Sequence, residues 1–224
     1  NGLMLEGRMA DILERLIRGG RPAASVALGE KIDPALLSHP PQFQGHSDPH
    51  IWMDVSLWAR TIPAVIQELA ALDPAGREEY EKNGEAYRQA LERLHEEVKQ
   101  KIRTIPKERR VLITAHDAFG YFGRAYEIEV TGLQGISTAS EFGLRDLQRL
   151  VSLIAERQIK AVFVESSVPR RSIEALVEGC RARVHEVRIG GELFSDALGP
   201  EGTPEGTYTG MIEHNVNTIV EALK

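Results

Sequence analysis

Residues 110–134 read RVLITAHDAFGYFGRAYEIEVTGLQ, a segment that contains a strand, a helix and a second strand in succession. The apolar run Val111–Thr114 predicts a buried strand that ends at His116. Phe119–Tyr126 predicts a helix, and Glu129–Leu133 predicts the second strand. Strands that alternate with helices in this way indicate βαβ units and a mainly parallel sheet.

The same alternation continues to the end of the chain. The further predicted elements are a helix over Leu144–Arg157, a strand over Ala161–Glu165, a helix after Pro169, a strand over Val184–Ile189, a Gly-rich loop, and a helix from about Thr207 to Ala222. Ligands of open parallel sheets bind at the carboxyl ends of the strands. His116, Glu165 and Asp196 each fall at or just after a predicted strand end, so we expect them at one edge of the sheet.

The segment before Pro106 predicts one long helix over residues 76–105. Its apolar positions step by sevens, fours and threes, and they are Tyr80, Tyr87, Leu91, Leu94, Val98, Ile102 and Ile105. The remaining positions are mostly Glu, Arg, Lys and Gln, which predicts one apolar stripe and one solvated face. A coiled coil is the alternative, but the stripe covers few heptads.

The first 75 residues predict shorter elements. A helix is expected over residues 8–19, a strand over Ser25–Leu28, and a loop over residues 33–47. Asp48 is then expected to cap a helix that has Pro49 at its first position and runs to about Leu72.

Composition limits the classes of protein and of site. A chain of 224 residues suffices for one large domain or two small lobes. A net charge of −6, with no basic stripe, argues against a nucleic-acid partner. The single Cys180 excludes an internal disulfide and a Cys-based zinc site. No apolar run approaches the roughly 20 residues that span a bilayer.

Three candidate metal ligands lie far apart in the sequence: His50, His116 and Asp196. Imidazole and carboxylate are donors that zinc, manganese and iron accept. Each also has a plain structural alternative: a surface histidine near a helix cap, a core histidine bonded to backbone, and an aspartate that caps a turn. Ligands from distant segments meet only through the fold, so the trio predicts one site between folded units.

Glu165 ends an apolar strand, where an isolated charge is costly to bury. It is expected either to pair with Arg170 or Arg171, or to support a metal ligand from behind, and we favour the second role.

Six segments of the chain carry a resemblance to a known family: DPHIW (48–52), RVLITAHDAFGYF (110–122), GLQGISTASE (132–141), FVESSVP (163–169), GGELFSDAL (190–198) and GTYTGMIEHN (206–215). Taken together, they resemble the TroA/ZnuA-like receptors, which bind zinc and manganese for bacterial ABC transporters; the resemblance is closest to the treponemal TroA type. They follow the family's order along nearly the whole chain.

The resemblance implies an α/β fold of two lobes with mainly parallel sheets, joined by one long helix. Residues 1–75 would be the remainder of the N-terminal lobe, 76–105 the connecting helix, and 106–224 the C-terminal lobe. The family has a further N-terminal portion with a first metal histidine in an Asp-Pro-His motif, so we expect the first lobe to be incomplete and three of four ligands to be present.

The resemblance also implies a function. Such receptors are extracytoplasmic monomers, periplasmic and either lipid-anchored or free, although no signal region is present in this sequence. They hold Zn²⁺ or Mn²⁺ as transported ligand, here through His50, His116 and Asp196, pass it to a membrane permease, and perform no chemistry on it. Residues 39–47 lack the His/Asp-rich loop of many zinc-specific members, whereas His116 stands where strongly manganese-selective members tend to have Glu. The sequence is therefore consistent with either zinc or manganese as the transported ion.

Two other functions compete with this interpretation. A zinc hydrolase would need a general base, and Glu165 is the only obvious candidate. The sequence has no His-Glu-x-x-His segment and no nucleophile elbow. A surface adhesion protein that uses the metal only for structure is the second alternative, and it would need metal in order to fold.

Overall fold

A computed structural model describes residues 26–43, 45–136, 143–183 and 185–224, together with Leu3, Arg15 and Gly19 individually. The chain forms two compact units, Asn1–Glu96 and Glu97–Lys224. The helix predicted over residues 8–19 lies outside the described residues, apart from Arg15 and Gly19, which are helical. The strand expected to end at Leu28 is wrong in its described part, because Leu28–Lys31 forms a 3₁₀ helix.

The first unit replaces the single helix expected from Asp48 to Leu72 by three shorter elements, so that prediction was wrong. They are a 3₁₀ helix at Ile51–Met53, helix α1 at Val55–Ala59 and helix α2 at Ile62–Leu72. The side chain of Asp54 accepts hydrogen bonds from two backbone amides and caps α1. Pro63 lies in the first turn of α2, where its missing N–H is tolerated.

The long helix predicted between residues 76 and 105 is present as α3, Arg77–Arg103. Leu91, Leu94, Val98 and Ile102 of its apolar stripe are buried. Among the described residues, no helix is long and apolar enough to cross a membrane.

The second unit contains two parallel strand pairs and four helices among its described residues. The strands are β1 (Val111–His116), β2 (Glu129–Gln134), β3 (Ala161–Glu165) and β4 (Arg188–Leu193); the helices are α4 (Gly120–Tyr126), α5 (Leu144–Glu156), α6 (Arg171–Arg181) and α7 (Tyr208–Leu223). Strand β1 pairs with β2, β3 pairs with β4, and β1 also contacts β3. The parallel pairing and the alternation of strands with helices are those that the sequence pattern predicted.

The core of the second unit explains why these segments fold as they do. All six residues of β1 and all five of β3 are buried, as expected for strands covered on both faces. Helices α5 and α6 pack their apolar stripes against this core through Leu150, Ile154 and Leu176. Cys180 is buried in the same core, and burial raises the pKa of its thiol.

Strand β4 lies four residues further along the chain than expected. Gly190 and Gly191, which were expected in a loop, belong to the strand. Ile189 is opposite Val162 and Gly191 is opposite Phe163, so Gly190 forms an irregularity in the register. A Cβ atom on Gly190 would lie 2.8 Å from the Cβ of Ala222 in α7. The glycines therefore allow the last helix to approach the strand closely, which propensity alone did not indicate.

Candidate metal centre

His116 is the last residue of β1, and its side chain is fully buried beside Glu165, the last residue of β3. The backbone N–H of His116 donates to Oε1 of Glu165 over 2.8 Å. Oε2 of the same carboxylate lies 2.7 Å from Nδ1 of the imidazole. Glu165 thus contacts both the backbone and the ring of His116, so it fixes the orientation of the ring and favours the proton on Nδ1.

Asp196 lies on the other side of the same ring. Its Oδ2 is 3.4 Å from Nε2 of His116, and its side chain is 23% exposed. The imidazole is therefore placed between a buried carboxylate and one that reaches solvent. A nitrogen donor and a carboxylate oxygen that face each other in this way are a suitable pair of ligands for a divalent metal ion.

The two carboxylates change the protonation of His116. Burial alone lowers the pKa of the imidazole, but hydrogen bonds to Asp196 and Glu165, together with their negative charges, raise it to about 10. In the metal-free chain the ring is therefore an imidazolium at neutral pH, with a proton on Nε2 as well as on Nδ1. An ion that binds to Nε2 must displace that proton.

The alternative expectation for Glu165, an ion pair with Arg170 or Arg171, is wrong, because both oxygens of its carboxylate contact His116. The Nε atom of Arg170 pairs with Oε1 of Glu174 over 3.2 Å. The buried carboxylate of Glu165 is directed to His116 instead.

His50 belongs to the first unit and is buried there, next to the 3₁₀ helix Ile51–Met53. Oδ1 of Asp48 accepts the backbone N–H of His50 over 3.0 Å and lies 2.7 Å from its Nδ1. The ring of Trp52 packs edge-on at a centroid distance of 5.3 Å. Asp48 thus fixes the ring with the proton on Nδ1, which makes Nε2 the nitrogen that can donate to a metal.

This geometry corrects the expected environment of His50. A long helix beginning at Asp48 would place His50 at the positive end of its dipole, but the element that follows is a three-residue 3₁₀ helix, which has too few peptide groups for that effect. Asp48 does not cap a long helix either; it bonds to the residue two positions on, as aspartates in turns do. The spacing of Asp48 and His50 could have indicated this contact from the sequence, but it was not recognised.

The second unit thus brings together three of the residues expected at the edge of the sheet: His116, Glu165 and Asp196. Two further residues at this edge were not expected. Ser167 follows β3, and its hydroxyl lies 2.9 Å from that of Ser195. Asn215 of α7 bonds to the backbone of Phe194. A buried asparagine on the apolar face of a helix was the available signal for the second of these.

The family model described as "ZnuA: Zinc-uptake complex component A periplasmic" matches residues 1–222 of this chain. "Zinc-binding protein TroA" of Treponema pallidum (strain Nichols) is 48% identical over 223 residues, which cover 100% of this chain and 71% of that protein. "Manganese-binding lipoprotein MntA" of Bacillus subtilis (strain 168) is 46% identical over 225 residues, which cover 100% of this chain and 72% of that protein.

A solved structure gives the same result for the fold. The periplasmic zinc-binding protein TroA from Treponema pallidum superposes with a TM-score of 0.93 at 48% sequence identity. The match covers 100% of this chain and 79% of that one. The α/β metal-receptor fold and the family resemblance expected from the sequence are therefore confirmed.

Proposed function

Because the chain belongs to the ZnuA family of periplasmic zinc-uptake components, we propose that it is an extracytoplasmic solute-binding protein, which captures a divalent transition metal and delivers it to an ABC transporter. The observation that carries this proposal is the buried His116, oriented by Glu165 and facing the carboxylate of Asp196, in a chain that is 48% identical to a zinc-binding protein. Glu165 contacts the second ring nitrogen of His116, as a metal-bound histidine requires, and Asp196 offers a carboxylate oxygen beside Nε2.

We propose His50, His116 and Asp196 as the ligands of the ion. Each imidazole has a carboxylate at Nδ1, Asp48 for His50 and Glu165 for His116, so Nε2 is the donor atom in both. This repeated arrangement supports the choice, because metal-bound histidines generally donate their second ring N–H to such a partner. We further propose the lobe boundaries expected from the sequence: 1–75, 76–105 and 106–224.

The cargo we propose is Zn²⁺ or Mn²⁺. One relative is named for zinc and another for manganese, at similar identity. Two imidazoles and one carboxylate suit both ions, and the Irving–Williams order gives zinc the higher affinity in vitro whichever ion is transported. Binding strength alone thus does not identify the physiological cargo.

We propose that the protein is not an enzyme and that it binds the ion without making or breaking covalent bonds in a substrate. Glu165, the one candidate for the general base of a hydrolase, is fully buried and held against His116. A base of that kind must reach a metal-bound water. The proposed partners are the metal ion and a membrane permease, with the protein acting as a monomer in the periplasm or, if lipid-anchored, on the outer face of the cytoplasmic membrane.

A competitive titration of the metal-stripped protein tests the proposed function. Zinc and manganese are added separately in the presence of a chromophoric chelator, and urea unfolding is recorded with and without metal. One-to-one, reversible binding to a protein that already unfolds cooperatively without metal is the expected result. Absence of binding would refute the proposal, and a metal-free chain that does not fold would favour the purely structural role.

Replacement of Glu165 by Gln is expected to raise the Kd for zinc about 10- to 100-fold, the usual effect of losing a carboxylate behind a metal histidine. The amide keeps the size of the side chain but removes the charge that orients the imidazole. The same chelator competition measures the change. Glu174→Gln, which removes an exposed carboxylate paired with Arg170, is the control; equal affinities of the two variants would exclude this role for Glu165.

A further inference from the structure

The segment Phe194–Asp196, called here the Asp196 segment, leaves the sheet directly after β4 and is held by a side chain from the last helix. Oδ1 of Asn215 accepts the backbone N–H of Phe194 over 2.9 Å. Nδ2 of Asn215 donates to the carbonyl oxygen of Phe194 over 2.8 Å. One amide group therefore satisfies both backbone polar groups of a residue that lies two positions before Asp196.

The next residue of the segment is fixed from a different side. Ser195 is buried, and its Oγ lies 2.9 Å from Oγ of Ser167, which follows β3. Both residues between the end of β4 and Asp196 are thus tied to neighbouring elements by side-chain hydrogen bonds. Such a segment has little freedom to move its carboxylate relative to His116.

The backbone of β4 is adapted to bring α7 within reach of the Asp196 segment. Gly191 has a φ of 151°, a backbone conformation that residues other than glycine rarely adopt. A Cβ atom at this position would lie 2.4 Å from Cγ2 of Thr218 in α7. His214, also in α7, bonds through Nε2 to the carbonyl oxygen of Glu192 over 3.0 Å. Helix α7 therefore contacts the strand end at several successive positions.

The packing of α7 does not require a polar residue at position 215. It lies on the buried face of the helix between Met211 and Ile219, and its side chain is buried. An amide at such a position costs free energy unless its hydrogen bonds are made. Here two of those bonds are made to the Asp196 segment, and Nδ2 also donates to Sδ of Met211, one turn earlier in the same helix, over 3.4 Å.

We propose that Asn215 is a positioning residue for the metal ligand Asp196, holding the Asp196 segment so that its carboxylate faces Nε2 of His116. This inference rests on the proposed function, since it assigns Asn215 a role in the affinity of that metal site. Asn215 itself contacts no ligand atom in the described hydrogen-bond network; it acts through the backbone of Phe194.

The test uses Asn215→Leu, which keeps the volume but removes both hydrogen bonds to Phe194, and Asn215→Asp, which keeps the acceptor and removes the donor. Asn217→Leu is the matched control, because Asn217 lies on the exposed face of α7 and bonds to Lys101. Zinc affinity is measured for each variant by chelator competition, both in the wild-type background and in an Asp196→Ala background. Hydrogen exchange at the Phe194 amide is measured in the metal-free proteins.

We expect Asn215→Leu to raise the Kd for zinc about 10- to 100-fold, as for other residues that orient metal ligands. With Asp196 already replaced by Ala, the same change should alter the Kd by less than about threefold, because the group that Asn215 positions is gone. The Phe194 amide should exchange about tenfold faster after loss of its acceptor. Asn217→Leu should change none of these quantities.

Three results would overturn the inference: an Asn215→Leu affinity within about twofold of wild type, an equal loss in the Asp196→Ala background, or unchanged exchange at Phe194. If Asn215→Leu does not fold, Asn215→Asp decides by its zinc affinity in the two backgrounds, because its retained acceptor keeps the Phe194 amide bonded. If the wild-type protein binds no zinc, the proposed function fails, while hydrogen exchange in the metal-free chain still decides whether Asn215 holds the Asp196 segment.

Discussion

Replacement of His116 by Ala is expected to weaken zinc binding by about two to three orders of magnitude. A four-ligand zinc site contributes roughly 10–16 kcal/mol, or about 2.5–4 kcal/mol per ligand, and each 1.4 kcal/mol is a factor of ten in Kd. The change also leaves the carboxylate of Glu165 buried without the ring that it contacts. Any rearrangement of the site around this carboxylate therefore costs free energy. Chelator competition with the metal-stripped variant measures the loss.

His185→Ala is the control for this experiment. His185 is another histidine of the second unit; it is partly buried, and its Nε2 lies 2.8 Å from the carbonyl oxygen of Ile159. Ile159 precedes β3, so His185 lies at the amino end of the strand whose carboxyl end carries Glu165. Its loss should leave the Kd for zinc within about twofold of wild type. Equal affinity of both variants would show that His116 is not a ligand.

The strands that place His116 and Glu165 could be predicted because both consist of a continuous run of residues suited to burial. Val111–His116 and Ala161–Glu165 are buried at every residue, and continuous apolar runs between helices are typical of such strands. The general rule for parallel sheets then places both residues at the carboxyl edge. Local pattern and tertiary environment agree here.

The predictions failed where tertiary contacts override the local pattern. Gly190 and Gly191 indicate a loop by propensity, yet the close approach of α7 makes them part of β4. The helix expected from Asp48 to Leu72 is divided, and Asp54 instead of Asp48 caps its first α-helical part. The hydrogen bonds of Asn215 to Phe194 depend on the packing of α7 against β4, which no spacing within either segment encodes.

The protonation of His116 gives the metal-free protein an expected dependence of stability on pH. The pKa of the imidazole is about 10 in the folded chain, against 6.5 for the ordinary group. Below pH 6.5 the ring is protonated in both the folded and the unfolded chain, so the stabilising contacts with Asp196 and Glu165 contribute fully. Between pH 6.5 and 10 only the folded chain keeps the proton, and the free energy of unfolding falls as the pH rises.

The slope contributed by His116 is at most about 1.4 kcal/mol per pH unit, the value for one proton. Urea unfolding of the metal-stripped protein at several pH values between 6.5 and 10 measures it. Other groups titrate in this range, so His116→Gln, which cannot take up the proton, is the reference. A steeper decline of stability in the wild type than in the variant is expected; parallel curves would mean that the ring is not held as an imidazolium.

The same proton links folding to capture of the ion. Zinc that binds to Nε2 takes the place of the proton, so each ion bound at pH 8 should release about one proton from His116. Calorimetric titration in buffers of different ionisation enthalpy counts the released protons, and the wild type should release more than His116→Gln. The apparent affinity should accordingly rise with pH up to about 10, over the range in which the metal-free fold loses stability. In this way the imidazolium that stabilises the metal-free protein between its two carboxylates is exchanged for the metal ion that the same carboxylates help to bind.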